Sequence, residues 1–425
     1  MATVPSSIFD QCYERALRHP QGVDATPSAR ELASEGGGLL GLKVLETATV
    51  LAGPAVGMFL AECGARVLKL EPPGGDVTRQ WVLPNEQASR GRSAYFCAVN
   101  WGKVSLVADL RKEDDQMQFR ELVKEADLLI TNNLPDQEMS LGLSWSVLHA
   151  INPRLIVGRI NGYGTGSHRP GYDSIVQAET GFVSMNGPRG GPGHKMPVAM
   201  MDVMAAHQLK EGLLLALIER MNTGMGKEVT VSLMDAGLSS LTNQATNWWM
   251  GGHLPEPMGS EHPNIVPYGS SFTCADGLPL TLAVGSDQQF ARLCEVLGWA
   301  MNPEWTTLSG RHQHKEALLG ALASAFSQRD CATWLEMLEE AHIPAGAVTG
   351  VHEALRTAQA QRLHLHEPGQ YDPGPHDSGQ HELGQHDPGL HGLRTAVFVP
   401  GTGIPLGPPP PFQAELTLGI IRRNV

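Results

Sequence analysis

Lys43-Val-Leu-Glu-Thr-Ala-Thr-Val-Leu-Ala-Gly-Pro54, followed by Gly64-Ala-Arg-Val-Leu-Lys-Leu-Glu71, decides the fold. Lys43–Glu46 reads as a buried strand. Gly53-Pro54 opens a helix that runs through Cys63, Gly64 ends it, and Arg66–Glu71 is the next strand. Two strands joined by a helix make a βαβ unit, which implies a parallel sheet and a right-handed crossover. Pro72-Pro-Gly-Gly75 then lies just past the carboxyl end of the second strand, where open α/β sheets bind ligands.

The alternation continues outward. Val104–Asp109 is a strand, Glu113–Ala126 a helix, Leu128–Ile130 a strand ending at Thr131-Asn-Asn133, and Leu155–Ile160 another strand before the turn Gly162–Gly166. Pro197–His207 brings an apolar run to one carboxylate, Asp202, and leads into an apolar-periodic segment from Val203 to Met221 closed by Gly224 and Gly226. This reads as an extended entry, Asp202 as N-cap, a helix and a glycine C-cap. An Asp there faces unpaired N–H groups and the positive end of the helix dipole, which predicts that it stays ionised at neutral pH. Glu228–Leu233 is the next strand. From about Trp248 the texture turns to glycine, proline and methionine, then to a strand at Pro279–Val284 and helices at Gln288–Leu297, Lys315–Phe326 and Cys331–Ala341.

The 425 residues exceed one simple core. The expectation is an α/β protein with a Rossmann-like large domain on a parallel sheet and a smaller α+β domain. Residues 1–40 form an N-terminal arm, 41–245 the first part of the large domain, 246–350 the small domain, and 351–425 the return to the large domain. Five copies of a five-residue unit, such as Gly384-Gln-His-Asp-Pro388, occupy an insertion at 366–392. Such Gly and Pro density cannot build a packed core, so the repeat reads as a mobile or irregular loop.

A formal charge of −13 argues against nucleic-acid and anionic-membrane partners. Cys12, Cys63, Cys97, Cys274, Cys294 and Cys331 form no Cys-x-x-Cys pair and read as reduced thiols. The first forty residues do not read as a targeting peptide. The expected location is cytoplasmic, or the mitochondrial matrix in a eukaryotic cell. The full Gly-x-Gly-x-x-Gly fingerprint, a Gly-x-Ser-x-Gly elbow and zinc spacings are absent, so the motifs indicate no redox cofactor. They leave only His376, His381, His386 and His391 of the repeat as weak metal ligands, for which repeat expansion in a tolerant loop is the plainer reading. That leaves covalent carboxylate chemistry at Asp202, for which spacing alone offers an N-cap as the plainer reading.

Several blocks in order carry a resemblance. They are Val44–Pro54, Gly64–Asp76 with Thr78-Arg79, Asn100-Trp-Gly-Lys103, Arg169-Pro-Gly-Tyr-Asp173 with Gln177-Ala178, Thr223-Gly-Met-Gly-Lys227 and His262-Pro-Asn-Ile-Val-Pro-Tyr268. From about Leu42 to Val348 the chain resembles the class III CoA-transferase family, which also contains α-methylacyl-CoA racemases. The resemblance implies that Asp202 is the nucleophile and that CoA, a cosubstrate, contacts Leu51, Ala52, Pro72, Ala108, Asp109, Leu110, Arg111, Asn132, Asn133, Tyr172 and Asp173. It places an active-site loop at Gly259, Ser260 and His262, and it implies an interlocked homodimer. Where the family usually has Asn-Phe, this chain has Asn132-Asn133, so Arg79, Lys103 and Arg111 are read as compensating phosphate contacts.

The implied reaction moves CoA between an acyl-CoA thioester and a free carboxylic acid, with a dicarboxylate such as succinate as the expected acid. Racemases of the family place His directly before Asp where this chain has Tyr172, and a phenol is a poor base beside a thioester. Structurally, Tyr172 reads as a buried aromatic with a hydrogen-bonded hydroxyl. The family's C-terminal pattern is missing beyond Pro408–Phe412, which leaves a CoA-ester-binding paralogue without catalysis as a further alternative.

Overall fold

The structure, a computed structural model, describes residues 7–17, 38–86, 92–367, 390–393 and 413–417. Most of the five-residue repeat and the tail fall outside the described residues.

The chain divides into two compact units, the first built from 1–180, 197–242 and 362–425. Its centre is a seven-stranded sheet of β1 (Lys43–Glu46), β2 (Arg66–Glu71), β3 (Lys103–Val107), β4 (Leu128–Thr131), β5 (Ile156–Asn161), β6 (Glu228–Ser232) and β12 (Gln413–Thr417). The spatial order is β12-β3-β2-β1-β4-β5-β6, and each neighbouring pair is parallel. β1 to β5 are short runs buried on both faces, as a covered parallel sheet requires, while β6 at one edge is largely exposed. The chain winds outward from β1 to β3 and then starts again on the other side of β1 with β4. A crevice therefore opens at the carboxyl ends of β1 and β4.

One face of the sheet packs Leu45, Leu68, Leu106, Leu129 and Val157 against Phe119, Leu122 and Val123 of α3 (Glu113–Glu125). The same cluster contains Phe9 and Cys12, which corrects the reading of the first residues as an arm. Ile8–Leu17 is a helix, α1, and Glu125 accepts hydrogen bonds from Ile8 N, Phe9 N and Lys43 Nζ. Phe9 and Cys12 lie on one helical face, and the polar N-terminal signals around them hide that face in the sequence.

The other face carries α2 (Ala52–Glu62) and α5 (Met200–Thr223), the helix that follows the apolar run at Pro197. Gly224 closes α5 at φ +73°, and Arg220 anchors that end by donating to Asp127 O, Arg154 O and Asp127 Oδ1. α4 (Asp173–Glu179) and α6 (Leu233–Ser239) flank the start of α5.

The second unit comprises 181–196 and 243–361. Residues 181–196, assigned to the large domain by chain order, therefore belong here. Strands β7 (Tyr268–Thr273), β8 (Pro279–Ala283) and β9 (Ala345–Ala347) form an antiparallel sheet. Phe272, Leu280 and Leu282 pack on Phe290 and Leu293 of α8 (Asp287–Val296), Leu318, Leu322 and Phe326 of α9 (Lys315–Phe326), and Trp334 and Leu338 of α10 (Cys331–Glu340). The ends of the repeat-bearing insertion are regular. β10 (His364–Glu367) and β11 (Leu390–Leu393) pair antiparallel, with His366 opposite His391.

Candidate active site

Asp202 lies in the first turn of α5, but not as its cap. The helix begins at Met200, and its N-cap is Ala199, which has no side-chain acceptor. The missing oxygen comes from α4. Asp173 Oδ1 accepts from Met201 N at 2.7 Å and from Asp202 N at 3.4 Å. These are the second and third helical N–H groups, the pair an N-cap carboxylate ordinarily takes. Asp173 Oδ2 in turn accepts from Gln177 Nε2 at 2.6 Å, and the same amide donates to Val198 O. Close packing fixes the arrangement, because a Cβ on Gly237 of α6 would sit 2.7 Å from Met201 Sδ and 2.8 Å from Thr180.

The charge state of Asp202 differs from the sequence expectation. Burial, and then the negative charge of Asp173, push its carboxyl up to about 7. Desolvation and a like charge outweigh the helix dipole, which is worth roughly 1 kcal/mol. Among the described residues no cation is ion-paired with Asp202 or Asp173. Tyr95, in the short helical turn Ala94–Cys97, is drawn into the same environment. Burial and the carboxylates of Asp202, Asp173 and Asp76 raise its phenol. No sequence motif singles out Tyr95.

The loop after β1 borders the crevice and is held from three sides. Asn132, past the end of β4, accepts from Thr49 N at 3.1 Å and donates to Thr49 O at 2.8 Å. Lys69 of β2 donates to Ala48 O at 2.7 Å. Asp76 accepts from Val50 N at 3.3 Å. Val50 needs that support, since it holds φ +73°, a strained conformation for a β-branched residue. Beneath the loop lies a buried ionic cluster. Lys69 Nζ pairs with Glu46 Oε1 at 2.9 Å and Asp76 Oδ2 at 3.1 Å.

The proposed CoA contacts divide on this frame. Leu51, the N-cap of α2, is half-buried and Ala52 is buried. Pro72 is exposed in the loop after β2, Ala108 and Leu110 are buried, and Asp109 is half-buried. Arg111 is exposed and donates to its own neighbour Asp109. Asn133 donates to Thr131 Oγ1 rather than reaching outward. Tyr172, the N-cap of α4, is 65% exposed, so the buried-aromatic reading is corrected.

Two cations leave the set. Lys103 is buried, and its three donors serve Glu46 Oε1, Pro54 O and Asn100 Oδ1. Burial pulls its ammonium down to about 7. Arg79 forks onto Glu71 and lies 3.9 Å from the Phe96 ring centroid. Both hold the sheet together rather than facing a ligand.

Gly259, Ser260 and His262 belong to the second unit. Gly259, at φ +67°, donates its N–H to Gly187 O at 2.9 Å. A Cβ on Gly269 would come within 2.2 Å of Ser260 O. His262 Nδ1 accepts from Asn264 N at 3.0 Å, which assigns the ring proton to Nε2. Burial lowers its basicity, so the ring is a neutral donor at pH 7. Its ring meets Tyr268 edge-on, with centroids 5.2 Å apart.

A parallel sheet with a crevice at its switch point, and a largely buried carboxylate at a helix start, define an α/β protein of the class that binds ligands at the carboxyl ends of its strands. The sequence profile of CoA-transferase family III matches residues 39–378. A succinate–glutarate CoA-transferase of Agrobacterium fabrum is 37% identical over 76% of this chain and 83% of its own. An acyl-CoA transferase of Fusarium pseudograminearum is 35% identical over 75% and 72%. A crystal structure of a CAIB/BAIF family protein from Brucella suis is 34% identical, with a TM-score of 0.72 over 86% of this chain and 93% of that one. The chain belongs to CoA-transferase family III, and it is a CoA-transferase.

Among the described residues no helix is long and apolar enough to cross a membrane, and no group of three or more His, Cys, Asp or Glu is placed to hold a metal ion.

Proposed function

We propose that this transferase moves CoA from an acyl-CoA thioester to a free acid through a covalent intermediate on Asp202, with succinyl-CoA as donor and a second dicarboxylate as acceptor. The observation that carries the reading is Asp202 itself, a largely buried carboxylate in the first turn of α5 with another carboxylate for its charged neighbour. A stable fold gains nothing from that pair, whereas a nucleophile gains basicity.

The Asp202 carboxylate attacks the thioester carbonyl, the C–S bond breaks, and CoA leaves as thiolate. The thiolate attacks the aspartyl carbonyl of the mixed anhydride, which frees the donor acid and leaves an aspartyl-CoA thioester. The acceptor carboxylate attacks that thioester and expels the thiolate again. The thiolate then takes the acceptor acyl group and restores Asp202. Neutral N–H donors suit the oxyanions of these steps. Leu51, Ala52, Pro72, Ala108 and Asn132 remain the proposed CoA contacts. The naming of the Agrobacterium relative for succinate and glutarate supports the choice of acids.

The test is turnover with succinyl-CoA and a panel of acids, with hydroxylamine or borohydride trapping. A mass change on the Asp202 peptide is expected, and unimpaired transfer by Asp202→Ala overturns the reading. Loss of α-chirality in a substrate without any acceptor acid would instead place the chain among the racemases.

A homodimer completes the proposal. In the first unit Leu215, Ile218 and Met221 of α5 are exposed, Met221 by 85%. In the second, Trp249 and Met250 of α7 (Asn243–Gly251) are exposed by 76% and 87%. Large apolar side chains in such groups call for cover.

A further inference from the structure

We propose that Asp173 is a positioning residue for Asp202: it caps the helix that carries the nucleophile and sets a second negative charge beside it, so that acylation of Asp202 relieves a repulsion. The inference rests on the nucleophile reading above.

Three observations carry it. First, Asp173 does the work of an absent cap. Ala199 offers no oxygen, and Asp173 Oδ1 takes the N–H groups of Met201 and Asp202. Those two donors would otherwise stabilise an anion at the helix start, and Asp173 occupies them with its own charge. Second, Asp173 is held by an amide, not by a cation. Gln177 Nε2 donates to Oδ2 at 2.6 Å and orients the carboxylate without neutralising it. Third, Gln177 is fully buried, so this orientation is part of the core rather than a surface accident.

The chemical consequence follows from charge balance. With both carboxylates ionised, two negative charges share one partly desolvated site. Attack of Asp202 on a thioester converts its carboxylate into a neutral anhydride, and the negative charge departs on the CoA thiolate. The Asp173 charge thus destabilises the resting anion more than the acyl-enzyme. Burial, followed by Asp173, raises the Asp202 carboxyl, in keeping with this arrangement.

The groups around Asp202 are few. From α4 it faces Asp173, and from the Ala94–Cys97 turn it meets the charge-coupled phenol of Tyr95. On α6, Asp235 is engaged by Ser232 Oγ. On β5 and β6, Arg159 pairs with Glu138 and Glu228. On α2, Glu62 lies near Lys210, far along α5, and His207 is the next titratable group on α5 itself.

Asp173→Asn decides the matter, because it keeps an oxygen for the two N–H groups and removes only the charge. The pH dependence of kcat/KM between about pH 5.5 and 9 reads the ionisation of the nucleophile in the free enzyme. In wild type the acid limb should fall near pH 7. In Asp173→Asn it should move down by about one pH unit, and the hydroxylamine-trapped acyl-enzyme at pH 8 should fall roughly tenfold. KM for succinyl-CoA should change by less than about threefold, since both carboxylate oxygens of Asp173 are engaged by Met201 N, Asp202 N and Gln177 Nε2 rather than turned to a ligand. Asp173→Ala should show the same shift together with a lower melting temperature from the lost cap.

An Asp173→Asn enzyme that is folded by circular dichroism, with the wild-type limb and wild-type trapping, overturns the inference. Asp202→Asn separates the two readings. If it is inactive and unlabelled while Asp173→Asn behaves as wild type, only the role of Asp173 fails. If Asp202→Asn is fully active, the nucleophile reading fails and takes this one with it.

Discussion

Asp202 illustrates how a buried carboxylate beside a like charge costs stability. Its carboxyl titrates near 3.8 in the unfolded chain and is raised to about 7 in the folded one. For a group raised in this way, the folded state is favoured below the unfolded value, and that advantage is lost as pH climbs to the folded value. Wild type should therefore lose stability between about pH 4 and 7, on the order of 3 kcal/mol in all. Asp202→Asn cannot ionise, so its stability gain over wild type should grow across that window and stay level above about pH 8. Urea denaturation at several pH values checks the curve, and a constant difference from pH 4 to 8 would refute it. Gly57 gives a second residue-scale outcome. A Cβ there would lie 1.8 Å from Glu46 Oε2 and 3.2 Å from Lys103 Cε. Both groups are buried, so Gly57→Ala should cost about 3 kcal/mol or more, read by the same denaturation. The constraint on Gly57 is α2 lying against a buried acid, which no local pattern in the sequence conveys.

Among the elements, the loop after β1 is the most exacting. Asp76 is the acceptor that holds Val50 at positive φ, and it is itself fully buried and paired with Lys69. Asp76→Ala should leave Lys69 and Lys103 sharing the single carboxylate of Glu46 and cost about 3–5 kcal/mol. Asp76→Asn should be milder, and it should raise KM for the CoA ester more than it lowers kcat; equal effects on the two parameters would argue against a role for the loop in ligand binding. The strands and the long helices were legible because apolar runs bounded by glycine and proline leave little choice of element. The start of α5 was not, because its cap comes from Asp173 in another element, and a cap supplied through space leaves no local pattern. Lys103 and Arg79 were misread for a related reason. Lys103 on β3 meets Glu46 of β1 across the intervening β2, and Arg79 in the turn after β2 folds back onto Glu71, pairings that only the folded chain reveals. Asp202 stood out through resemblance and not through spacing, and Tyr95 had no signal at all. Helix α1 was missed because three core side chains, Phe9, Cys12 and Tyr13, are a short message. Phe9→Ala should cost about 3–4 kcal/mol, measurable by denaturation.

At the scale of the whole molecule, each unit carries a group of exposed large apolar side chains among the described residues, Leu215, Ile218 and Met221 in the first and Trp249 and Met250 in the second. Sedimentation equilibrium should give twice the chain mass of 45.7 kDa. Replacing Leu215, Ile218 and Met221 together by Glu should yield a monomer, and an unchanged mass would move the interface elsewhere. The crossover order of the sheet explains why the two units are each assembled from separate stretches of chain. Segment 197–242 supplies α5, α6 and β6 to the first unit, while the residues before and after it build the second.

Strand β12 pairs with β3, although some three hundred residues separate them along the chain. During synthesis the outer side of β3 emerges some three hundred residues ahead of its partner. At translation rates of roughly 5–20 residues per second, β3 must wait at least about fifteen seconds with its backbone N–H and C=O groups unsatisfied on that side. The nascent protein therefore passes through an interval in which an apolar strand edge can recruit a neighbouring chain, and chaperone dependence in cells should concentrate in that interval. A chain stopped just before Gln413 would be left in that state permanently.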